Sequence, residues 1–219
     1  MTTLTAMKSR IALEVRRKPY ADLSSTMQDH IANAITSAIN AYQDERFYFN
    51  ESRSTTFTTV ASQEFYDEND AANLANLIKI DYVKLHVDNT TFDLLPDFPS
   101  EIESASTNAT AIGQPGWYIY YNRQIRLYPI PSDAWDVRVA GVFVYGAPAS
   151  DDEASNFWMT DGERLIRSRA KYELALHVLR DTELAQTMSA STTEALEQLK
   201  RRTNKVTQRD NGRIRPMDF

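Results

Sequence analysis

Cysteine is absent from this 219-residue chain, glycine occurs only six times, and no apolar run approaches the roughly 18 residues of a membrane-spanning helix. Each shortage excludes something. Without thiols there are no disulfides, no thiolate nucleophile and no thiolate metal site, which fits assembly in a reducing cytoplasm. None of the glycines falls in a G-x-G-x-x-G or G-K-[ST] arrangement, so no loop is built to cradle phosphate, and no G-x-S-x-G elbow presents a serine. The opening "MTTLTAMKSRIALEVRRK" carries its basic cluster after its apolar positions, unlike a secretory signal, and a soluble chain without a membrane partner is expected.

Ligating residues are equally scarce. His30, His86 and His177 fall in three different predicted elements, with none of the close spacings of zinc sites. The acidic run at 151–153 reads as a solvated loop, and "DNTTFD" lacks the glycine and terminal glutamate of a calcium loop. No catalytic, cofactor-binding or metal-binding residue is assigned, and a non-enzymatic protein is expected.

What is present is enough apolar material for a core. With 42% hydrophobic residues, a chain of this length buries on the order of 70% of its unfolded surface, as one or two small domains. The net charge of -6 is unevenly spread. Residues 1–20 hold five basic and one acidic side chain, residues 21–160 seven and 20, and residues 161–219 twelve and nine. Such a polarised chain suits association with another copy of itself or with a protein of matching charge, where a chance pattern on a solvated surface is the alternative.

Leu4, Met7, Ile11 and Val15 recur at helical spacing and stop before Pro19. A second stripe, Met27, Ile31, Ala34, Ile35, Ala38 and Tyr42, opens at Ser25 with Gln28 as its capping-box partner. From Phe47 the texture turns to strands. "TTFTTV" and "QEFYD" read as a short pair, and "IDYVKLHV" turns at Asp88-Asn89 into "TTFDLLP". "SEIESAS" reads as at most a short helix and "TNATAIGQPG" as a loop. "WYIYY", "QIRLYPIP" and "WDVRVAGVFVYG" then read as a three-stranded meander, with Trp117, Ile119 and Tyr121 opposite Ile125 and Leu127 and with Pro129 and Pro131 ending their strand. The aromatic run resembles a base-stacking platform, but its acidic setting favours a core or interface role.

Helices resume behind a Thr160/Glu163 capping box, with two apolar stripes: Leu165, Tyr172, Leu176 and Leu179 on one side, Ile166, Ala170, Leu174 and Val178 on the other. A helix wrapped this way suits the centre of a bundle, or faces its own core and a neighbouring subunit. Arg164, Arg167, Lys171, Tyr172 and Leu176 are its subunit-interface candidates, the three cations facing DNA, a protein carboxylate or water. Asp181 reads as the cap of a last helix carrying Leu184, Met188, Ala195, Leu196 and Leu199, with "KRR" at 200–202 near its C-terminus. The expected fold is therefore α+β: a helical bundle from residues 1–46 and 157–208, an antiparallel β-rich insertion at 47–156, and an extended tail at 209–219. That tail, "GRIRPMDF" after Asn211, carries two large apolar anchors, Ile214 and Phe219, beside Arg213, Arg215 and Pro216.

This order of elements resembles the head-to-tail adaptor (connector) proteins of tailed bacteriophages, especially short-tailed ones. Five stretches carry the likeness: "ERFYFNES", "QEFYD", "IRLYPIP", "LIRSRAKYELALHVLRDTELAQ" and "GRIRPMDF". The resemblance implies a structural virion protein at the head-tail interface, assembled in the host cytoplasm into a homo-oligomeric ring, typically of twelve copies. It also implies a portal protein above, a tail or nozzle protein below, double-stranded DNA passing through the lumen without specific binding, and a C-terminal segment that lies along the portal. Ordering a ten-residue segment costs on the order of 10 to 20 kcal/mol, so Arg213, Ile214, Arg215, Pro216 and Phe219 would have to supply the compensating contacts. A tail-completion or stopper ring of the same particle is the nearest alternative, and a nucleic-acid-binding protein using its basic ends a more distant one.

Overall fold

Thr3 opens the first helix, α1 (Leu4–Arg16), by accepting a hydrogen bond from the Ala6 N–H at 3.2 Å, and Arg17 closes it in the left-handed region at φ 55°. The structure is a computed structural model and describes residues 3–98 and 111–211, with side chains up to Val206. The expected short helix after Pro99 and the anchors at 213–219 lie outside the described residues. Two compact units divide the chain: Met1–Phe49 with Tyr145–Phe219, and Asn50–Val144.

In the first unit α2 (Ser25–Asn40) is capped one residue earlier than its sequence suggests. Ser24 accepts from the Met27 N–H at 3.4 Å. Gln28 is spent elsewhere, its amide donating to the carbonyls of Tyr20 and Leu23 and so fastening the turn that leads into the helix. The Thr160/Glu163 capping box does not form either. Here α3 (Glu163–Glu173) follows Gly162 with no side-chain cap, and the Thr160 hydroxyl donates instead to the Asn156 carbonyl at 3.2 Å. The expected cap at Asp181 does form, accepting from the Leu184 N–H at 2.9 Å at the start of α4 (Thr182–Asn211).

Between α3 and α4 the backbone widens into a π-helical turn, Leu174–Leu179, and stops at Arg180 in the left-handed region. A π turn holds an extra residue and shifts the phase of the side chains that follow it. Leu174 and Ala175 are therefore buried while Leu176 is 37% exposed. Met7 and Ile11 of α1, Ile31, Ile35 and Ile39 of α2, Leu165 and Ile166 of α3, and Ala195 and Leu199 of α4 close over Trp158 in one core. Because α4 continues to Asn211, residues 209–211 are helical rather than extended. The "KRR" cations then sit more than two turns before the helix end, too far to serve its dipole.

The second unit is a mixed seven-stranded sheet in the order β1-β9-β3-β4-β6-β7-β2. Its strands are β1 (Glu51–Thr58), β2 (Phe65–Tyr66), β3 (Leu77–Val87), β4 (Thr90–Pro96), β6 (Trp117–Tyr121), β7 (Gln124–Tyr128) and β9 (Asp136–Phe143). Two short parallel strands, β5 (Ile112–Gly113) and β8 (Ile130–Pro131), form a separate pair, so the expected 107–116 loop contains a strand and Pro131 does not lie outside the strands. The two hairpins turn where expected, with Asp88 at φ 51°, and Asn122 and Arg123 at φ 51° and 60°, the left-handed pair of a type I′ turn.

Strand partners differ from the sequence reading in two places. β1 and β2 do not pair with each other but lie at opposite edges, on β9 and β7. The sheet nevertheless curls enough for Phe57 of β1 and Tyr66 of β2 to stack at 4.8 Å, which is how their apolar alternation is satisfied without pairing. The meander is also broken: β9 leaves β7 and inserts between β1 and β3, where it buries both faces of "VAGVF". Within the β6–β7 hairpin, Tyr118 and Tyr120, not Trp117, Ile119 and Tyr121, stand opposite Leu127 and Ile125. The two-residue turn sets that register, one step from the one expected.

Gly141 of β9 lies against a register shift in β3. A Cβ there would sit 2.1 Å from the Lys79 carbonyl oxygen. Gly141→Ala is expected to lower the stability of the β unit by about 1–3 kcal/mol, read as an earlier urea midpoint by far-UV circular dichroism.

Candidate assembly surfaces

On the helical unit, Glu14 of α1 receives Arg167 Nη1 at 2.6 Å and Lys171 Nζ at 2.7 Å, both from α3. Glu163 stands 3.2 Å from Arg10 and 3.1 Å from Arg167. Arg164 turns to α4, donating to Glu194 at 2.8 Å and Gln198 at 2.9 Å. The three interface candidates with positive charge are thus all held by carboxylates of their own chain. Tyr172 of α3, half-buried beneath the Arg169 guanidinium at 5.0 Å, and Leu176 of the following π turn are the apolar candidates.

Burial pushes the Glu14 carboxyl up, but the hydrogen bond and charge of Lys171 and the charge of Arg167 outweigh it and leave it below its ordinary 4.5. A depressed folded-state value means that this contribution is complete above about pH 4.5 and is lost as pH falls through the folded value. Glu14→Gln is therefore expected to destabilise the protein at pH 7 by at most about 1 kcal/mol and to flatten the fall in stability below pH 4.5, measured by urea unfolding between pH 3 and 7.

A second cluster fixes the C-terminal half of α4. The Tyr48 hydroxyl and Arg202 both donate to Asp161, and the Arg202 guanidinium lies 5.3 Å over the Tyr48 ring. Burial, then the hydrogen bond to Asp161, pushes the Tyr48 phenol up to about 12, so it stays a donor at any physiological pH. Lys200 reaches Glu45 at 2.8 Å, and Thr203 accepts from the Tyr48 N–H at 3.3 Å. The "ERFYFNES" stretch is therefore where α4 is clasped. These partners are 113 and 41 residues apart, and no spacing in the sequence announces them.

The outward face of the sheet in the β unit has two unlike halves. Cross-strand rows Thr56, Arg138, Lys84, Asp93 and Thr58, Asp136, His86, Thr91 make one half polar, with Thr58 donating to Asp136 at 2.8 Å and Lys84 paired to Asp93 at 3.0 Å. The other half is apolar. Leu95 lies beside Trp117, which faces Tyr128, and Phe65 lies beside Arg126 in the next row. Leu95 is 57% exposed, Tyr121 74% and Trp117 42%. In "WYIYY" the alternation therefore splits the rings: Tyr118 and Tyr120 go inward, the latter donating to the Leu77 carbonyl at 2.8 Å, and Trp117 and Tyr121 go outward. Sequence reading missed Leu95 and Phe65, although the doubled leucine of "TTFDLLP" places one apolar side chain on each face.

Among the described residues no group of three or more histidines and carboxylates is placed to hold a metal ion. His30 lies on α2, His86 Nδ1 stands 2.9 Å from the Thr91 hydroxyl, and His177 lies 3.3 Å from Glu173. Asp151 of the acidic run accepts from Lys8 at 2.7 Å, and Glu153 accepts from the Ala149 N–H. No helix among the described residues is long and apolar enough to cross a membrane.

Charged, clasped and apolar surfaces of this kind suit a protein that binds other proteins. No curated protein matches the chain. The family model described as SU10 adaptor protein matches residues 2–216, which takes in both units and reaches into the basic C-terminal stretch. On that extent the chain belongs to the SU10 adaptor protein family, structural adaptors of phage particles.

Proposed function

We propose that copies of this chain form a dodecameric ring that joins the portal to the tail of a short-tailed phage and surrounds the DNA exit channel. The C-terminal segment docks on the portal through Arg213, Ile214, Arg215, Pro216 and Phe219, and a tail or nozzle protein binds the opposite side. Tyr172 of α3 and Leu176 of the π turn that follows it are offered to a neighbouring copy, and the salt bridges of Arg164, Arg167 and Lys171 stiffen α3. DNA passes without specific binding, in keeping with a net charge of -6 that disfavours phosphate.

The observation that carries this reading is the reach of the family match to residue 216, which includes four of the five docking residues. The test is a pull-down with the portal protein of the same particle. A chain ending at Asn211 is expected to lose binding, and full binding by that chain rejects the docking role.

A further inference from the structure

The apolar half of the β unit's outward face is too large to be decoration. Leu95, Trp117, Tyr121 and Phe65 are all 42% or more exposed; Leu95 of β4 is the register neighbour of Trp117 of β6, Tyr121 lies further along β6, and Phe65 of β2 stands beyond β7, beside Arg126. The polar half of the same face shows what a solvated surface on this sheet looks like. Contiguous apolar patches edged by charge mark places where another polypeptide sits.

The edge of this patch is acidic. Asp67, Glu68 and Asp70 follow β2, and Asp67 is joined to Gln124, the cross-strand neighbour of Tyr121. Arg123 is the one cation lining the hollow there with Asp67 and Glu68, and Arg126 is occupied by Glu64. The β unit as a whole has 13 acidic and six basic residues, whereas the helical unit has 17 and 18.

A matching surface lies on the helical unit. Leu13 is 52% exposed near the end of α1, and Arg16, Arg17 and Lys18 follow it, exposed and without a carboxylate partner among the described residues. Residues three apart on a helix are neighbours, so Leu13 is bordered by Arg16, and Arg17, whose N–H donates to the Leu13 carbonyl at 3.0 Å, closes the helix beside it. One cation there would serve the helix dipole. Three beside an exposed leucine form an apolar spot edged with positive charge, the counterpart of an apolar face edged with negative charge.

We infer that the aromatic half-face of the β unit of one copy docks on the Leu13–Lys18 surface of the helical unit of the next. Because the two surfaces differ, the contact is heterologous, and repeated it closes a ring or runs into a filament. The inference rests on the ring reading above and names the contact that would build the ring.

The experiment uses full-length chains, mixed with the portal protein, and counts assembled rings by negative-stain electron microscopy, with circular dichroism to check folding. Trp117→Ser, Lys18→Glu and Glu68→Lys are each expected to fold and to cut the ring fraction by about tenfold or more, since every ring repeats the damaged contact. The double variant Lys18→Glu with Glu68→Lys is expected to recover most of it. Rings from the wild type and from all three single variants alike would overturn this contact while leaving the ring reading intact. Loss in the charge variants without recovery in the double variant would overturn the pairing of these two surfaces. Normal rings from Trp117→Ser that no longer retain a tail protein would assign the face to that partner instead. A wild type that forms no ring would overturn the ring reading, and this contact with it.

Discussion

A chain ending at Asn211 is expected to fold as the full-length protein does and to bind the portal at least about a hundredfold more weakly. The first half of this expectation follows from where α4 is anchored. Its buried Thr203, its Lys200 contact to Glu45 and its Arg202 contact to Asp161 all precede the cut. The second half follows from the chemistry removed. Ile214 and Phe219 are worth about 1.5–3 kcal/mol each when fully covered, and each arginine hydrogen-bonded to an acceptor adds about 1.5–3 kcal/mol. The cost of ordering the segment is of the same order as these contributions, and a hundredfold change corresponds to a net surplus of only roughly 2.7 kcal/mol. Phe219→Ala alone is expected to weaken binding about tenfold, measured by titrating portal into labelled protein, whereas circular dichroism of both variants should overlay the wild type.

Trp158→Ala is expected to cost about 3–5 kcal/mol and to leave the helical unit marginal or unfolded at 37 °C. Trp158 is fully buried, with Phe49 at 5.0 Å and Phe47 at 5.8 Å, both nearly perpendicular to it. Its indole N–H donates to the Tyr145 carbonyl at 2.8 Å. Removing the ring opens a cavity among four helices, loses these edge-to-face contacts, and strands a carbonyl. Phe would keep part of the packing but not the hydrogen bond, so Trp158→Phe should fall between Ala and wild type. Urea unfolding of the three proteins checks the order, and equal midpoints would show that the cluster is not the keystone described.

The helices were legible because their apolar spacing is long and regular: Met7 and Ile11, then Ile31, Ile35 and Ala38, are buried as their period requires. The α+β class and the two hairpins were legible for the same local reasons, since Asn122-Arg123 and Asp88-Asn89 are turn chemistry. Strand partners were not, because β9 pairs with strands 50 or more residues away and alternation alone carries no address. The π turn at 174–179 was hidden too, as nothing in "LALHVL" distinguishes a wide turn from an α turn until its packing is known. For the site, the cations of α3 were visible but their carboxylates were not: Glu14 lies 153 residues from Arg167. The exposed half of the sheet was half visible, in the outward Trp117 and Tyr121 of "WYIYY", and needed the β4–β6 pairing to join Leu95 to it.

Cryo-electron microscopy of the full-length chain with the portal of its own particle decides whether this protein is a portal-bound ring. A coaxial ring of this protein under the portal is expected, with density for residues 212–219 of each copy running along portal subunits. Bare portals beside monomeric protein at saturating concentration, or a ring whose residues 212–219 fold back onto their own chain, would contradict it.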